Sequence, residues 1–455
     1  MNSTGRPVAG EGDGRHRRAV VIIHGIGEQR PTGTLRGVVD GLGLGTAWSK
    51  PDRVSESLEL RRMSVYRPGE APTDLYELYW AHHAAPSSPR QVLGWLGRLL
   101  TRRSAWSGSP AAPALNLVTV VGALALVAAV AIVVVTTWRD GASAWLSSPP
   151  FWVALAFAAV QFVAQPLLTR RLADAERYLR PDPGNIAART AIRTEGLTLL
   201  RRLHEVGVYD RVVVVGHSLG SVIGYDVLRL YWDEARWPLF ELAGPQPEAE
   251  HFSLDYGDPL ALRGGEVEIF QHVQHRLWRE QRARGVPWLV TDFVTLGSPL
   301  AHGRLLLETP SASLTRRQDD LELPTCPPMP SLDPDESDER ESTFYPATLR
   351  KAGQERTVLV GNHGALFGPT RWTNLYFPVR LAVWGDPIGG PLAGVFGTGI
   401  RDVAVHQSGR HRRWWHRLVP LRSHLRYWTR LDGPAREREG TVEAVPALRR
   451  AIGLD

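Results

Sequence analysis

A single serine stands between two glycines where a predicted strand gives way to a predicted helix. Residues 212–228 read VVVVGHSLGSVIGYDVL. Four β-branched residues in a row indicate a strand that is buried on both faces, and the apolar residues that follow recur at helical spacing. Gly216, Ser218 and Gly220 therefore match the G-x-S-x-G nucleophile elbow, a tight turn that lifts a serine hydroxyl above a sheet. This pattern predicts Ser218 as the nucleophile of an acyl-transfer reaction.

A serine hydroxyl is a weak nucleophile at neutral pH, so Ser218 needs a general base, and the base needs an acid that orients it. Asp386 follows two short apolar stretches in the turn GDPIGG, where a loop acid is expected, and Asp402 is the alternative. Asp226 and Asp292 are unsuitable because they fall inside a predicted helix and a predicted strand. The candidate bases are His406, His411, His416 and His424.

The oxyanion that forms during acyl transfer requires backbone N–H donors. Residues 19–23 predict an early strand, which is followed by a His-Gly turn. Such a turn supplies one donor and the residue after the nucleophile supplies the other, and these donors are Ile26 and Leu219 here. The residues expected to line the substrate site around them, or to shape its turns, are His24, Gly25, His217 and Ser298.

Two competing interpretations of these turns fail on spacing. Ser298 also follows a predicted buried strand, but Pro299 cannot continue into a helix interior and no glycine stands two residues beyond the serine. Gly25 and Gly27 resemble the start of a dinucleotide-binding loop, whose third glycine is replaced by Arg30. We therefore expect no cofactor.

The histidine pattern gives no metal signature. His272 and His275 form an i, i+3 pair, and His82 and His83 are adjacent, but no third ligand accompanies either pair at a diagnostic spacing. The acidic residues in 333–341 indicate a solvated loop rather than a calcium site. The sequence therefore predicts no metal.

Composition narrows the class of protein and its partners. The chain has 455 residues, 43% of them hydrophobic, which is enough for a large core. Cys326 is the only cysteine, so an internal disulfide is excluded. The net charge of +6 indicates an anionic partner, either a phospholipid surface or nucleic acid.

Two apolar segments separate the early strand from the serine motif. No charged residue occurs between Arg103 and Arg139, and residues 114–137 exceed the length of about 20 apolar residues that a membrane-spanning helix needs. Residues 150–168 give a weaker signal because their interior contains Gln161, Gln165 and Pro166. The pair predicts a transmembrane hairpin whose arginine-rich outer flanks both face the cytoplasm. Core helices of a soluble protein are the alternative.

These patterns divide the chain into segments. A basic tail, expected to be disordered, covers residues 1–17. The first part of an α/β core covers 18–90, the inserted hairpin 91–185, and the remainder of the core 186–455. Within the last part, residues 309–342 are rich in proline, serine and acidic side chains and predict a mobile loop.

Residues 409–430 interleave arginine with tryptophan. Such a segment can bind nucleic acid through phosphate contacts and stacking, lie on an anionic leaflet with its tryptophans at headgroup depth, or form a solvated face. Trp414, Trp415 and Trp428 are the aromatic residues concerned. Because a membrane tether is predicted, we expect a membrane phospholipid partner and no nucleic acid.

A set of short motifs gives the chain a resemblance to a known family. HGIGEQR, GHSLGS, TLGSPL, RWTN, DPIGGPL and SHLRYW occur in this order. With them the chain resembles bacterial membrane-associated α/β-hydrolases of the lipase and serine esterase type, distantly similar to inositol deacylases. The resemblance covers residues 18–27 and 197–429, and it implies an α/β-hydrolase fold with a mostly parallel central sheet flanked by helices, interrupted here by the transmembrane hairpin.

The resemblance also implies the roles of particular residues. The aspartate of D-P-I-G-G corresponds to the acid, hence Asp386, and the histidine of H-x-x-Y-W corresponds to the base, hence His424. The order Ser218, Asp386, His424 is that of α/β-hydrolases. The expected activity is hydrolysis of lipid or acyl esters at the inner (cytoplasmic) membrane, with the catalytic domain in the cytoplasm. The alternatives are an acyltransferase or thioesterase with the same triad, and a non-catalytic membrane scaffold.

Overall fold

The structure is a computed structural model. It describes residues 17–25, 30–55, 59–83, 112–141, 183–256, 266–308, 312–332, 341–379, 385–409, 422–433 and 439–454, with a few positions between 149 and 178. Several predicted features lie outside these ranges: the tail before residue 17, most of the second apolar segment, and residues 410–421 with the candidate bases His411 and His416.

The described residues contain thirteen strands, and the early strand, the strand before Ser218 and the strand before Ser298 lie where the sequence predicts them. Their bounds are β1 Arg18–Ile23, β2 Ala47–Pro51, β3 Arg61–Val65, β4 Thr73–Leu78, β5 Arg211–His217, β6 Val290–Leu296, β7 Ser331–Leu332, β8 Glu341–Ser342, β9 Phe344–Lys351, β10 Gln354–Gly361, β11 Arg371–Tyr376, β12 Arg401–His406 and β13 Val442–Glu443. A nine-stranded sheet has the order β13-β12-β11-β6-β5-β1-β4-β3-β2.

The sheet is mixed and largely parallel, as the sequence predicts. β3 and β2 are antiparallel to their neighbours at one side, and the other strands run parallel. The valines of β5 explain why this strand is central. Val212 and Val214 pack into the core on one face, and Val213 and Val215 pack into the core on the other. A strand covered on both faces cannot alternate with polar residues.

Helices cover both faces of the sheet. Their bounds are α1 Gly33–Gly41, α2 Ala112–Asp140, α3 Pro183–Glu205, α4 Leu219–Ala235, α5 Pro247–Asp255, α6 Val267–Ala283, α7 Gly303–Leu307, α8 Leu314–Asp319, α9 Ala393–Phe396 and α10 Ala444–Ala451. Apolar residues of α3, α4 and α6 join the core on one face, and those of α1 and α10 join the core on the other. The result is a three-layer α/β architecture.

The first apolar segment forms α2. Among the described residues, no helix combines the length and apolarity that crossing a bilayer requires. The side chains of α2 are described only from Leu124 onward, and not all of those are. The transmembrane hairpin predicted from the sequence is therefore not supported by the fold and stays a prediction.

Part of the segment predicted to be a mobile loop packs onto the core. In residues 312–332, Leu314, Leu323 and Cys326 are buried in the same core as α4. The hydroxyl of Tyr225 donates a hydrogen bond of 2.8 Å to the carbonyl oxygen of Pro324. The proline-rich composition therefore marks a packed segment here, which contains α8 and β7 and whose apolar residues reach the core.

Candidate active site

Ser218 occupies a strained turn between β5 and α4. Its backbone has φ 53° and ψ −128°, a conformation that costs a residue other than glycine energy. A Cβ on Gly216 would overlap the backbone of Ser221, and one on Gly220 would overlap the carbonyl group of Ile23. Both glycines of the motif are therefore required by close backbone approach, and the serine is held above the end of β5.

The serine lies at the point in the sheet where the direction of strand addition reverses. β1 and β5 are neighbours, and the next strands lie on opposite sides, β4 beyond β1 and β6 beyond β5. Ligands of open α/β sheets bind at such a switch point, outside the carboxyl ends of the strands. The backbone N–H of Ser218 donates to the carbonyl oxygen of Leu296 at the end of β6, at 2.9 Å. Three adjacent strand ends therefore meet at this residue.

The structure brings Asp386 and His424 together. His424 Nδ1 is 2.8 Å from Asp386 Oδ2, and both side chains are fully buried. The hydroxyl of Tyr427 donates to the same oxygen at 2.7 Å. The other oxygen accepts the backbone N–H groups of Ile388 and Gly389, at 3.0 and 3.2 Å. All these donors favour an ionised carboxylate that orients the imidazole.

The electrostatic balance at Asp386 follows from these contacts. Burial by itself would raise the pKa of this carboxyl group, but the charge and hydrogen bond of His424 and the hydrogen bond of Tyr427 outweigh it and lower the pKa to about 2. The carboxylate is therefore ionised throughout the neutral range. An ionised acid is what a histidine base needs as its orienting partner.

The His–Asp pair lies against the elements that carry the serine. His217, which precedes Ser218, places its Nε2 2.7 Å from the carbonyl oxygen of His424, and the two ring centroids are 4.9 Å apart. Gly297 follows β6 with φ 56°, and a Cβ there would lie 2.5 Å from Asp386 Oδ2 and 3.0 Å from His424 Nδ1. A glycine is therefore what allows the pair to close onto β6.

The second ring nitrogen of His424 has no hydrogen-bond partner among the described residues. This buried Nε2 is therefore not bonded to the hydroxyl of Ser218. Catalytic hydrogen bonds often tighten only when substrate is bound. The arrangement can accept a proton at Nε2 while Asp386 holds Nδ1.

The predicted oxyanion turn lies beside the serine. A Cβ on Gly25 would be 2.8 Å from the Cβ of Ser218. Ile26, the predicted donor in this turn, is outside the described residues, whereas Leu219 is the first residue of α4 and is buried. The N-terminal N–H groups of a helix have no partner within the helix and favour negative charge.

His24 is fully buried, and both of its ring nitrogens have hydrogen-bond partners within the domain. The backbone N–H of Trp80 donates to His24 Nε2 at 3.3 Å, so His24 Nδ1 carries the proton and donates to the carbonyl oxygen of Gly25 at 2.8 Å. The imidazole ring of His24 and the indole ring of Trp80 are stacked, with their centroids 5.1 Å apart. Burial lowers the pKa of His24 to about 4, so the ring is neutral at pH 7.

Ser298 and His217, two other residues predicted near the substrate, pack against the turn that contains Ser218 and its neighbours. Ser298 is fully buried, and its Oγ lies 2.7 Å from Ser221 Oγ, which in turn donates to the carbonyl oxygen of Ser218 at 2.6 Å. His217 makes an edge-to-face contact with Trp428 at a centroid distance of 4.8 Å. Trp428, expected at headgroup depth, is therefore partly buried against the core of the domain.

The alternative acid and base have other partners. Asp402 accepts the backbone N–H groups of Leu392 and Ala393, at 2.8 to 2.9 Å, and the amide of Asn374. It therefore caps the start of α9. His406 Nδ1 lies 3.0 Å from the hydroxyl of Thr441 in the neighbouring segment. Asp226 pairs with Arg193 and Arg229, and Asp292 pairs with Arg371.

Tyr427 is the site residue that the sequence did not predict. It lies within the motif H-x-x-Y-W, three positions after His424. His424 lies in the short helical turn Arg422–Leu425 and Tyr427 lies two residues beyond its end, and both side chains reach Asp386. The signal for Tyr427 in the sequence is its place in the H-x-x-Y-W motif.

Comparisons with models of protein families, with curated proteins and with solved structures find no match to this chain. The class of protein that the observations define is a three-layer α/β domain with a serine elbow beside a buried His–Asp pair.

Proposed function

We propose that this protein is a serine esterase of the α/β-hydrolase type, in which Ser218 is the nucleophile, His424 the general base and Asp386 the orienting acid. One observation carries the proposal. A buried His–Asp hydrogen bond of 2.8 Å lies at the same sheet edge as a serine held at φ 53°. Structural histidines and aspartates are common, but this combination beside a strained serine is typical of acyl-transfer sites.

The proposed reaction uses each part of the site once. His424 Nε2 takes the proton from Ser218 Oγ as this oxygen attacks the carbonyl carbon of an ester. Asp386 keeps the proton on His424 Nδ1 and stabilises the imidazolium that forms. The N–H of Leu219 and a donor in the turn that contains Ile26 bind the oxyanion. His424 then protonates the leaving alkoxide, and a water molecule, activated in the same way, releases the acid.

The proposed substrate is a lipid or acyl ester that reaches the site at the cytoplasmic surface of a membrane. Support comes from α2, which exposes a broad band of large apolar side chains: Leu124, Val127, Val130, Val134, Val135 and Trp138. The surface of a soluble protein seldom exposes so many large apolar side chains together. The proposal includes the inserted apolar hairpin, and release of the full chain from membranes by alkaline carbonate would remove this part of it.

The test is covalent labelling of the full chain with a fluorophosphonate probe, which reacts with activated serines. The wild type is expected to be labelled and Ser218→Ala is not. Ser49→Ala is the matched control, because Ser49 is an exposed serine on the edge strand β2. Ser218→Ala is also expected to lower the turnover of p-nitrophenyl esters by at least about a thousandfold.

Each result of this experiment decides between proposals. Labelling that survives Ser218→Ala removes Ser218 as the nucleophile. No labelling of the wild type, with no ester hydrolysis, favours the alternative of a non-catalytic membrane scaffold. A panel of oxygen esters and thioesters, with and without an alcohol acceptor, then separates esterase, thioesterase and acyltransferase activity.

A further inference from the structure

Two histidines and a glutamate converge on one point next to the early strand. The short helical turn Ala81–His83 ends in His82 and His83, and Glu195 projects from the middle of α3. His83 Nε2 lies 2.8 Å and His82 Nε2 3.2 Å from the same atom, Glu195 Oε1. The two imidazole rings are adjacent, with centroids 3.8 Å apart.

We propose that His82, His83 and Glu195 form a binding site for a divalent transition-metal ion of the zinc type. The three ligand atoms all lie within 4.8 Å of one another. Zinc ligands at about 2.0–2.1 Å in a tetrahedron are separated by roughly 3.3 Å, so small side-chain movements complete the geometry. Two imidazoles and one carboxylate leave a fourth position for water, and imidazole donors favour zinc over calcium or magnesium.

The side chains are reachable from solvent. Their exposed fractions are 47% for His82, 24% for His83 and 39% for Glu195. A metal ion can therefore enter without opening the core. Hydrogen bonds to Glu195 also hold the histidine turn to α3. One carboxylate oxygen that faces two imidazole nitrogens is equally an arrangement in which a single cation can bind all three atoms.

The location suggests what the ion does. His83 is the last described residue before the insertion that contains α2, and α3 is the first long element after it. A metal bound by His83 and Glu195 would fasten together the two ends of this insertion. The loop between these ligands is long, and a bond that closes a long loop removes much freedom from the unfolded chain.

The site also connects to the candidate active site. Trp80 directly precedes the histidine turn, and its indole N–H donates to the carbonyl oxygen of His24 at 2.9 Å. His24 begins the turn whose Gly25 lies against Ser218. A metal that fixes residues 81–83 would therefore stabilise the oxyanion turn, without taking part in the reaction.

The sequence predicted no metal because the third ligand is distant along the chain. His82 and His83 were visible as a pair, but Glu195 follows only after both apolar segments. The fold of α3 against the histidine turn is what brings it within reach.

The experiment is a titration of the chelator-treated full chain with Co²⁺ and Zn²⁺. The wild type is expected to bind one equivalent of Co²⁺ at the proposed site, with visible absorption bands that Zn²⁺ abolishes, and Glu195→Gln and His83→Gln are expected to bind the same equivalent more weakly. The affinity for Zn²⁺ is expected to fall by at least about tenfold in both variants, since losing only an outer-shell partner costs roughly 10- to 100-fold.

The matched control is His272→Gln, which removes an exposed histidine of α6 and leaves the predicted site intact. Circular dichroism verifies that each variant is folded, and His82→Gln replaces any that is not. Zn²⁺ is also expected to raise the Tm of the wild type and of His272→Gln only. Equal stoichiometry and affinity in wild type and Glu195→Gln, or no binding by the wild type at micromolar Zn²⁺, would overturn the proposal.

Discussion

Asp386 and Asp402 both follow from the sequence as candidate acids, yet the fold uses them in opposite ways. Asp386 offers one oxygen to the side chains of His424 and Tyr427 and the other to a backbone turn. Asp402 receives two backbone N–H groups at the start of α9 and one side-chain amide. The first carboxylate faces a group that can carry a positive charge, and the second faces only neutral dipoles.

The pKa values of the two groups reflect this difference. The pKa of Asp386 is lowered to about 2, because the interactions with His424 and Tyr427 outweigh the effect of burial. The pKa of Asp402 is raised, because burial outweighs its three neutral donors. Both side chains are held in place by several hydrogen bonds. The two carboxylates therefore differ in having or lacking a partner that can carry a positive charge, rather than in loop position or number of hydrogen bonds.

The strongest test of this comparison is a matched pair of substitutions. Asp386→Asn is expected to lower the kcat of ester hydrolysis by about 10⁴-fold, because the amide favours the wrong tautomer of His424. Asp402→Asn is expected to change kcat by less than about tenfold, because its effect reaches the site only through α9. Steady-state kinetics on a p-nitrophenyl ester measures both. Equal losses in the two variants would contradict the assignment of Asp386.

The sequence predicts some residues of the candidate active site from local patterns and others only through the resemblance or not at all. The strand β5, the elbow at Ser218 and the helix after it are local features, so their patterns sufficed. Asp386 and His424 were assigned by resemblance, because only the sheet topology brings the loop after β11 and the C-terminal segment to the serine. The hydroxyl of Tyr427 and the approach of Glu195 to the histidine turn depend on tertiary packing, which no local pattern encodes.

A second test concerns the glycine that accommodates the His–Asp pair. Gly297→Ala is expected to destabilise the protein by about 2–5 kcal/mol, since it adds the strain of a positive φ and an overlap with Asp386. Gly353 in the β9–β10 turn is the matched control. It has φ 80° and no atoms near a Cβ position, so Gly353→Ala is expected to cost only about 1–2 kcal/mol.

Urea denaturation measures the two free energies of unfolding, and ester hydrolysis shows where the damage lies. Gly297→Ala is expected to lose activity as well as stability, because the added methyl group displaces Asp386 or His424. Gly353→Ala is expected to keep wild-type kcat. If Gly297→Ala retained full activity, the close packing of the pair against β6 would not be required for function.

The smallest expected effect is a change in stability with pH, and it distinguishes Asp386 from His24 because these two buried groups titrate in different pH ranges. The pKa of Asp386 is depressed, so its contribution to stability persists in mild acid and is lost only as the pH falls toward about 2. The pKa of His24 is also depressed, from 6.5 to about 4 by burial. Between pH 6.5 and about pH 4, His24 binds a proton in the unfolded chain but not in the folded chain. The contribution of His24 is therefore complete above pH 6.5 and is lost as the pH falls to 4.

His24→Gln removes this titration and keeps an oxygen that can accept from Trp80. The difference in unfolding free energy between wild type and His24→Gln is expected to shift by up to about 3 kcal/mol between pH 7 and pH 4, at 1.36 kcal/mol per pKa unit. The wild type is expected to lose its advantage over His24→Gln in acid. A constant difference across this range would mean that His24 is protonated as easily in the folded chain as in the unfolded one, and that the buried turn beside Ser218 opens to water.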